Sequence, residues 1–180
     1  MPTYSHNPLC LTQAMTAANA PSPLVASGSS IYGGYAPHLA FNQSASSGWC
    51  SGGGPPQWLK IDLGEGNGAW LAGYSLTTLS EWSACNPRSW TLAGSNNDTD
   101  WTTLATETDV PQAGLAVMTT FSVPIPSAAY RYFRINVTAG YGDFPAIGEL
   151  ELLGFPPPST RSHLQYRGRN RFLFTGYSKG

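Results

Sequence analysis

Hydrophobic and polar positions alternate over short segments through the middle of the chain, and Gly, Pro, Asn or Ser residues separate these segments. Alternation with a period of two is typical of strands that bury one face. The pattern predicts seven strands, over residues 58–63, 71–78, 89–94, 101–105, 118–123, 130–137 and 147–153. Strands of this length and spacing predict an all-β fold, an antiparallel jelly-roll β-sandwich.

The composition agrees with many short strands and little helix. The 180 residues include 20 Gly and 15 Pro, and only 11% are charged, whereas long surface helices need more charged residues. A chain of this length suffices for one domain with an arm or a tail. We therefore expect an N-terminal arm over 1–23, the sandwich over 24–154, and a Pro-rich spacer with a tail over 155–180.

The two terminal regions differ from the middle in composition. Residues 17–23 read Ala-Ala-Asn-Ala-Pro-Ser-Pro, and such small side chains predict an extended arm that orders only against a partner. Residues 1–160 contain ten acidic and four basic residues, whereas 161–180 contain five basic residues and no acidic one. The tail also carries Leu164, Tyr166, Phe172, Leu173, Phe174 and Tyr177. A basic, aromatic tail on an acidic body is typical of a segment that binds a partner.

Neither a membrane span nor a disulfide framework is indicated. No run approaches the roughly 18 apolar residues of a span, and residues 1–6 lack the basic and apolar regions of a signal peptide. We therefore expect no membrane insertion and no signal-peptide export. Cys10, Cys50 and Cys85 are odd in number and lack Cys-x-x-Cys spacing, which favours free thiols. A bond between Cys50 and Cys85, both in predicted loops, stays an alternative.

Five motifs occur in an order that resembles one family. They are 41–49 (Phe-Asn-Gln-Ser-Ala-Ser-Ser-Gly-Trp), 58–64 (Trp-Leu-Lys-Ile-Asp-Leu-Gly), 87–104 with its central Trp-Thr-Leu-Ala-Gly-Ser-Asn, 130–135 (Tyr-Arg-Tyr-Phe-Arg-Ile) and 147–154 (Ile-Gly-Glu-Leu-Glu-Leu-Leu-Gly). Together they resemble the discoidin-like domain of the coagulation factor 5/8 C-terminal type, which is shared by family-32 carbohydrate-binding modules. The resemblance spans about residues 24–154. It implies a galactose-binding-domain-like sandwich that binds a ligand and catalyses nothing.

The resemblance also implies a structural Ca²⁺ ion in the loop that precedes Trp49. Carried over residue by residue, its ligands are Leu39, Asn42, Ser44, Ser47, Gly148 and Glu149. Carbonyl, amide, hydroxyl and carboxylate oxygens can together supply the six to eight ligands that Ca²⁺ takes. Asn42 stands where the family has Asp, which removes one negative charge and weakens the site. The alternative is a loop that closes through its own Asn and Ser hydrogen bonds, without an ion.

A sugar site is expected in the loops at one end of the sandwich, where related modules bind. Sugars need aromatic faces for their C–H groups and directed polar groups for their hydroxyls. The expected residues are Glu81, Trp82, Asn86 and Arg88 in one loop, Tyr141 and Phe144 in a late loop, and His38 near Tyr32 and Tyr35 in an early loop. Three of them also have a structural reading: Trp82 as an end cap, Arg88 as a solvated turn residue and His38 as a packing residue.

Four of the other five tryptophans are expected to serve structure, because they coincide with structural positions of the family. Trp49, Trp58, Trp90 and Trp101 are accordingly assigned to the core or to hairpin packing. Enzyme motifs are missing: the chain has no Gly-x-Ser-x-Gly, His-Glu-x-x-His or P-loop sequence.

The sequence as a whole favours a non-catalytic carbohydrate-binding protein. Residues 20–30 and the Trp-Thr-Leu-x-Gly-Ser-Asn stretch look most like discoidin-like modules of bacteriophage tail fibres and other virion proteins. We therefore expect a virion structural protein, in a tail fibre or a capsid decoration, that displays a site for a cell-surface glycan. Its tail would bind other virion proteins or a second copy, and nucleic acid is not an expected partner. The alternatives are a purely structural assembly protein and a carbohydrate-binding module of a bacterial glycan-processing system.

Overall fold

A computed structural model describes residues 7–126 and 128–156 of the protein. The strands are β1 Leu9–Cys10, β2 Val25–Gly28, β3 Trp49–Cys50, β4 Gln57–Asp62, β5 Trp70–Thr77, β6 Pro87–Ser95, β7 Thr102–Glu107, β8 Met118–Ser122, β9 Tyr132–Gly140, β10 Ala146–Ile147 and β11 Glu149–Phe155. Two 3-10 helices, Pro37–Phe41 and Ser83–Cys85, are short. The prediction of an all-β fold is therefore confirmed. Over the described ranges, every helix is too short or too polar to cross a membrane.

The strands form two main antiparallel sheets and one small one. The five-stranded sheet has the order β2-β4-β9-β6-β7, and the four-stranded sheet has the order β1-β11-β5-β8. β3 and β10 form a two-stranded sheet. In β9, Phe133, Ile135 and Val137 are buried while the residues between them are partly exposed, so the five-stranded sheet turns one face to the core.

The core between the sheets is built largely from aromatic and branched side chains. Trp49, Phe41, Tyr74 and Phe133 are all at most 1% exposed. The Trp90 indole Nε1 donates a hydrogen bond to the buried Tyr74 hydroxyl at 2.8 Å. Trp49 and Trp90, which the sequence assigned to the core or to hairpin packing, are therefore core residues. The hydrogen bond gives the buried indole N–H of Trp90 a partner, which it would otherwise lack.

The N-terminal region is not a free arm over the part that is described. β1 pairs antiparallel with β11, and the Leu11 N–H donates to the Leu152 carbonyl at 2.8 Å. Met15 is 2% exposed within the core. The predicted arm over 1–23 is therefore wrong from residue 9 onward. A few large apolar residues, such as Met15, are enough to fill the core beside β11. The small side chains of 17–23 gave no indication of this.

The C-terminal end of the sandwich lies slightly beyond its predicted position. β11 includes Phe155, which is 9% exposed, so the spacer begins at Pro156 and not at residue 155. Residues 157–180, with the predicted assembly tail, lie outside the described residues.

The predicted strand at 147–153 divides into β10 and β11 at Gly148. A Cβ atom there would stand 2.7 Å from the Thr78 carbonyl oxygen, so only glycine fits this close approach.

Candidate functional site

Three aromatic side chains from three separate loops meet at one end of the sandwich. The ring centroids of Tyr32 and Trp82 are 6.1 Å apart at an interplanar angle of 86°, and those of Tyr32 and Phe144 are 5.5 Å apart at 41°. Tyr32 and Phe144 are 49% and 39% exposed. These residues border a cleft of about 140 Å³, which is called the aromatic cleft below. Exposed rings in contact with one another offer an apolar surface to a ligand.

Backbone contacts hold the three loops of the aromatic cleft in place. The Tyr32 N–H donates to the Cys50 carbonyl at 2.8 Å, which ties the early loop to β3. Trp82 immediately precedes the 3-10 helix Ser83–Cys85, and its carbonyl accepts the Cys85 N–H at 3.0 Å. At Gly142 a Cβ atom would lie 2.6 Å from the Ala84 carbonyl oxygen, so glycine lets the late loop pack against the helix. Hydrogen bonds and close packing between the loops thus hold the cleft in place.

The other walls of the cleft are two cysteines. Cys50 and Cys85 both line it, and both are free thiols. Burial raises the pKa of Cys50 to about 11, with a further contribution from the neighbouring Cys85. Burial also raises the pKa of Cys85. Both thiols are therefore neutral at physiological pH, and this part of the cleft is apolar.

One carboxylate lies beside the aromatic rings. The Tyr35 hydroxyl donates a hydrogen bond to Glu81 Oε2 at 2.9 Å, and the Tyr35 ring lies 4.7 Å from the Trp82 ring. The hydrogen bond to Glu81 raises the pKa of Tyr35, so this hydroxyl stays protonated. A carboxylate whose position is fixed in this way can accept hydrogen bonds from ligand hydroxyl groups.

Of the expected sugar-binding residues, Trp82 and Phe144 line the cleft. Glu81 stands beside it, joined by its hydrogen bond to Tyr35, whose ring contacts Trp82. Asn86 does not belong there: it is 2% exposed, and its Nδ2 donates to the Ala113 carbonyl at 2.8 Å. That expectation was wrong because the side chain is needed to hold the 109–113 loop against β6. A buried amide of this kind is a structural anchor and is inaccessible to a ligand.

Three further expected residues have other contacts. Arg88 lies 3.4 Å from Asp109 in an exposed ion pair, and the Tyr141 hydroxyl donates to the Val110 carbonyl at 2.9 Å. Both therefore face the 109–113 loop. His38 is half-buried in the first 3-10 helix, and its buried Nδ1 has no hydrogen-bond partner among the described residues. None of the three lines the aromatic cleft.

Sequence reasoning placed Tyr32 and Tyr35 in an early loop without assigning them to the site, and it treated the two cysteines only as a possible pair. Cys50 directly follows the buried Trp49 in β3. This position next to a core tryptophan was the one feature of the sequence that could have placed Cys50 at the end of a loop. The approach of residues 32, 50, 82 and 144 depends on long-range pairing, above all between β3 and β10. Such pairing leaves no mark in a local pattern.

The loop before Trp49 brings several expected ion ligands together. Asn42 Nδ2 donates to Ser47 Oγ at 2.8 Å, and Asn42 Oδ1 accepts the Ser44 N–H at 2.9 Å. The same N–H lies 3.3 Å from Glu149 Oε2. These are the hydrogen bonds that a loop closed on itself requires. Four of the six expected ligand residues therefore meet in one polar cluster.

Glu149 is the single carboxylate of this cluster, and it is 5% exposed. Burial raises the pKa of Glu149 to about 7, although the backbone N–H groups of residues 42–44 act in the opposite direction. Gln43 has a φ of 60°, and successive N–H groups around such a residue form a concave site for an anion. The Glu149 carboxylate occupies that site.

The remaining expected ligands flank the cluster. Leu39 belongs to the 3-10 helix Pro37–Phe41, which ends at Asn42, and the Gly148 N–H donates to the Thr77 carbonyl at 2.8 Å. The oxygens present fit a cation, but with one carboxylate only a weakly held one. Within 7–126 and 128–156, three or more His, Cys, Asp or Glu side chains nowhere gather as a metal site.

The described part of the chain is thus a two-sheet antiparallel jelly roll with an aromatic cleft among its end loops. The family model for the F5/8 type C domain matches residues 24–150. The chain belongs to this family, and the resemblance seen in the sequence motifs is confirmed. The match begins at β2, so β1 and the buried Met15 lie before the region that the family model covers.

Solved structures with the same fold are family 32 carbohydrate-binding modules. One is the module of Clostridium perfringens NanJ in complex with galactose. It has a TM-score of 0.63 and 19% identity, and the alignment covers 72% of this chain and 93% of that chain. A second C. perfringens module, in complex with GalNAc-β-1,3-galactose, has a TM-score of 0.61 at 14% identity and covers 72% of this chain and 94% of its own.

A third similar structure is a chitosan-binding module of a chitosanase/glucanase from Paenibacillus sp. IK-5, in a V110M variant. It has a TM-score of 0.64 and 25% identity, and the alignment covers 83% of this chain and all of that chain. Comparison with curated protein sequences gave no match. These neighbours establish the sandwich architecture and its relation to carbohydrate-binding modules.

Proposed function

We propose that the protein binds a glycan non-covalently in the aromatic cleft. The observation that carries this proposal is the contact of Tyr32 with both Trp82 and Phe144, three aromatic residues from three loops around one concavity. Structural neighbours with this fold bind galactose and GalNAc-β-1,3-galactose, which supports a sugar as the ligand. The family membership supports binding without catalysis.

The chemistry of the cleft favours a neutral sugar. Its apolar walls suit the C–H face of a pyranose, and Glu81 can accept hydrogen bonds from hydroxyl groups. The carboxylate of Glu81 repels a negatively charged sugar, because no cation borders the cleft among the described residues. The cleft volume of about 140 Å³ suits one terminal sugar residue better than a long chain segment.

Replacing Trp82 by Ala tests the site. We expect Trp82→Ala to weaken glycan binding by about 1–3 kcal/mol, because it removes one face of the cleft, and to leave the melting temperature nearly unchanged. A glycan array identifies the ligand, and isothermal titration then compares the variants. Arg88→Ala is the matched control, since Arg88 pairs with Asp109 away from the cleft.

Two outcomes contradict the proposal. One is an array without hits at high protein density, which favours a purely structural protein. The other is a Trp82→Ala variant that binds the identified glycan as tightly as the wild type.

We also propose that the protein is a virion structural component, in a bacteriophage tail fibre or a capsid decoration. The support is the likeness of residues 20–30 to virion modules and the basic, aromatic composition of 161–180. On this view the cleft contacts a host-surface glycan while the tail binds other virion proteins or a second copy. Mass spectrometry of purified particles tests it, and absence of the chain from them contradicts it.

A specific observation favours a second candidate, a module of a bacterial glycan-processing system. Several structural neighbours come from glycoside hydrolases of C. perfringens, including one of family 31 and one of family 89. The cleft would then hold an enzyme at its polysaccharide. Genomic context separates the two candidates, since neighbouring genes encode either virion proteins or glycan-processing enzymes.

A structural Ca²⁺ ion at the 42–47 loop is a further proposal. The ion would be held by oxygens of Asn42, Ser47 and Glu149, with carbonyl groups of Leu39, Ser44 and Gly148. At a concentration ten times its dissociation constant, the ion would stabilise the fold by about 1.4 kcal/mol. We expect Ca²⁺ to raise the melting temperature of the wild type and to leave Glu149→Gln unaffected. Equal melting temperatures in Ca²⁺ and in chelator contradict this and favour the self-closed loop.

A further inference from the structure

Cations and aromatic rings gather on the outer face of the five-stranded sheet, away from the core. Lys60 of β4 pairs in register with Arg134 of β9, and Trp58 pairs with Asn136. Lys60 Nζ lies 5.5 Å from the Trp58 ring centroid and 5.9 Å from that of Tyr132. These side chains belong to the partly exposed positions of their strands, so they lie on one solvent-facing surface.

The tip of the hairpin between β6 and β7 adds a second tryptophan to this surface. Ser95 Oγ accepts the N–H groups of Asn97 and Asp98, at 3.3 and 3.0 Å, which fixes the conformation of the turn. Asp98 Oδ2 lies 2.6 Å from Lys60 Nζ, so the tip reaches over the sheet. The Trp101 ring centroid consequently lies 4.1 Å from Arg134 Cζ. We call Trp58, Lys60, Trp101, Tyr132 and Arg134 the outer-sheet patch.

Arg134 differs from the other cations near the patch in making no ion pair with the described residues, although Asp98, the partner of Lys60, lies near enough to act on its charge. Lys60 pairs with Asp98, and Arg131 makes a two-point contact with Asp62 at 2.7 and 2.8 Å. The Arg134 side chain makes no hydrogen bond or ion pair with the described residues, and its Nε is buried without an acceptor. Burial also lowers the pKa of Arg134. A partly desolvated guanidinium without an acceptor is unfavourable, and a planar carboxylate is the group that best matches its donors.

We propose that the outer-sheet patch is a second binding site, for a carboxylate-bearing sugar chain of the polyuronate type. The uronate carboxylate accepts hydrogen bonds from Arg134. The sugar ring packs against Trp58, which stands opposite Asn136 on the neighbouring strand. This ligand class differs from that of the aromatic cleft, where Glu81 is the charged group.

The two sites lie well apart along the sheet. Arg134 is near the start of β9, and the cleft loops follow the end of this strand at Gly140. At about 3.3 Å per residue, roughly 20 Å of strand separates them. A variant in one site therefore leaves the other intact, and the patch does not depend on the function proposed for the cleft.

The test compares binding of polygalacturonate and of its methyl ester to the full-length chain by titration calorimetry. The methyl ester keeps the sugar and removes the charge. We expect the ester to bind at least about ten-fold more weakly than the acid, because a charge-assisted contact is lost. Arg134→Met, which keeps an apolar contact to Trp101, is expected to weaken polygalacturonate binding by a similar factor. Arg134→Lys is expected to restore part of it.

Matched variants locate the binding. Trp82→Ala and the double variant Arg167→Ser, Arg169→Ser are expected to bind polygalacturonate like the wild type, because they change the cleft and the tail. Trp58→Ala, at a partly exposed position, is expected to weaken binding and serves as the second patch variant if Arg134→Met fails to fold, as judged by its melting temperature. Equal binding of acid and ester, unchanged binding by the patch variants, or loss of binding in the cleft or tail variants overturns the proposal. Arg134-dependent binding of dextran sulfate without binding of polygalacturonate overturns its assignment to a carboxylate.

Discussion

At the residue scale, the same residue type has different roles at different positions. Trp49 and Trp90 fill the core, Trp82 lines the aromatic cleft, and Trp58 and Trp101 stand beside cations on the outer sheet. The assignment of Trp58 and Trp101 to the core or to hairpin packing agrees with Trp101 standing beside the β6–β7 hairpin, but it missed the cation near each ring. Lys60 follows Trp58 by two residues on the same face of β4, whereas the partner of Trp101, Arg134, is distant in sequence and could not be read from a local pattern.

The cysteines of the aromatic cleft give a prediction at this scale. Cys50 is 1% exposed with its pKa raised to about 11, and Cys85 is only half-buried. Because the thiolate is the reactive form, we expect iodoacetamide at pH 8 to modify Cys85 well before Cys50. Peptide mass spectrometry over a time course measures both rates. Saturating glycan is expected to slow the modification of Cys85.

Cys10 is the internal control in that experiment, because it lies at β1 and outside the cleft. Its rate should stay the same with and without glycan. Faster modification of Cys50 than of Cys85, or equal protection of Cys10, contradicts the placement of the two thiols in the ligand site.

At the element scale, β1 and the segment after it complete the core although the sequence predicted an arm. Met15 is 2% exposed in the core, whereas Leu9 of β1 is 50% exposed. We expect Met15→Ala to lower the free energy of unfolding by about 2–5 kcal/mol, since it leaves a cavity. Leu9→Ala is the matched control and should change it by about 0.5 kcal/mol or less. Urea denaturation measures both, and equal effects contradict the role of Met15 in the core.

The strands themselves were largely predictable. All seven predicted segments contain a strand, because alternation records which face of a sheet is buried. The two-residue strands β1, β3 and β10 were missed or merged, since two residues carry no period. The four-residue β2 was missed because Val25–Gly28 has small side chains and one buried position, Ala26.

The sites were less predictable than the strands for the same reason. Trp82 and Phe144 were placed in end loops because aromatic residues stand out among small ones, and the structure brings both to the aromatic cleft. Their role in glycan binding remains a prediction. Asn86 was misplaced because a buried amide and a ligand-binding amide look alike in sequence, and only the contact with Ala113 distinguishes them.

At the scale of the whole molecule, the sandwich and the tail differ in charge and in composition. The tail remains a prediction, because it lies outside the described residues. The strands and the core that are described end at Phe155. We therefore expect deletion of 159–180 to leave the melting temperature of the sandwich unchanged. The same deletion is expected to abolish particle incorporation or self-association, measured by co-sedimentation and light scattering. Normal assembly of the shortened chain contradicts an anchoring role.

The antiparallel pairing of β1 with β11 also decides how the protein carries mechanical load. Leu9 stands opposite Gly154, so the chain enters and leaves the sandwich at one place. β11 begins at Glu149, opposite Thr77 near the cleft, and runs seven residues away from it to Phe155, opposite Trp70. Tension between an anchored Phe155 and a ligand held in the cleft would thus act along β11 and β5. Their hydrogen bonds would be sheared together and not opened one after another, so the sandwich would resist unfolding under such tension.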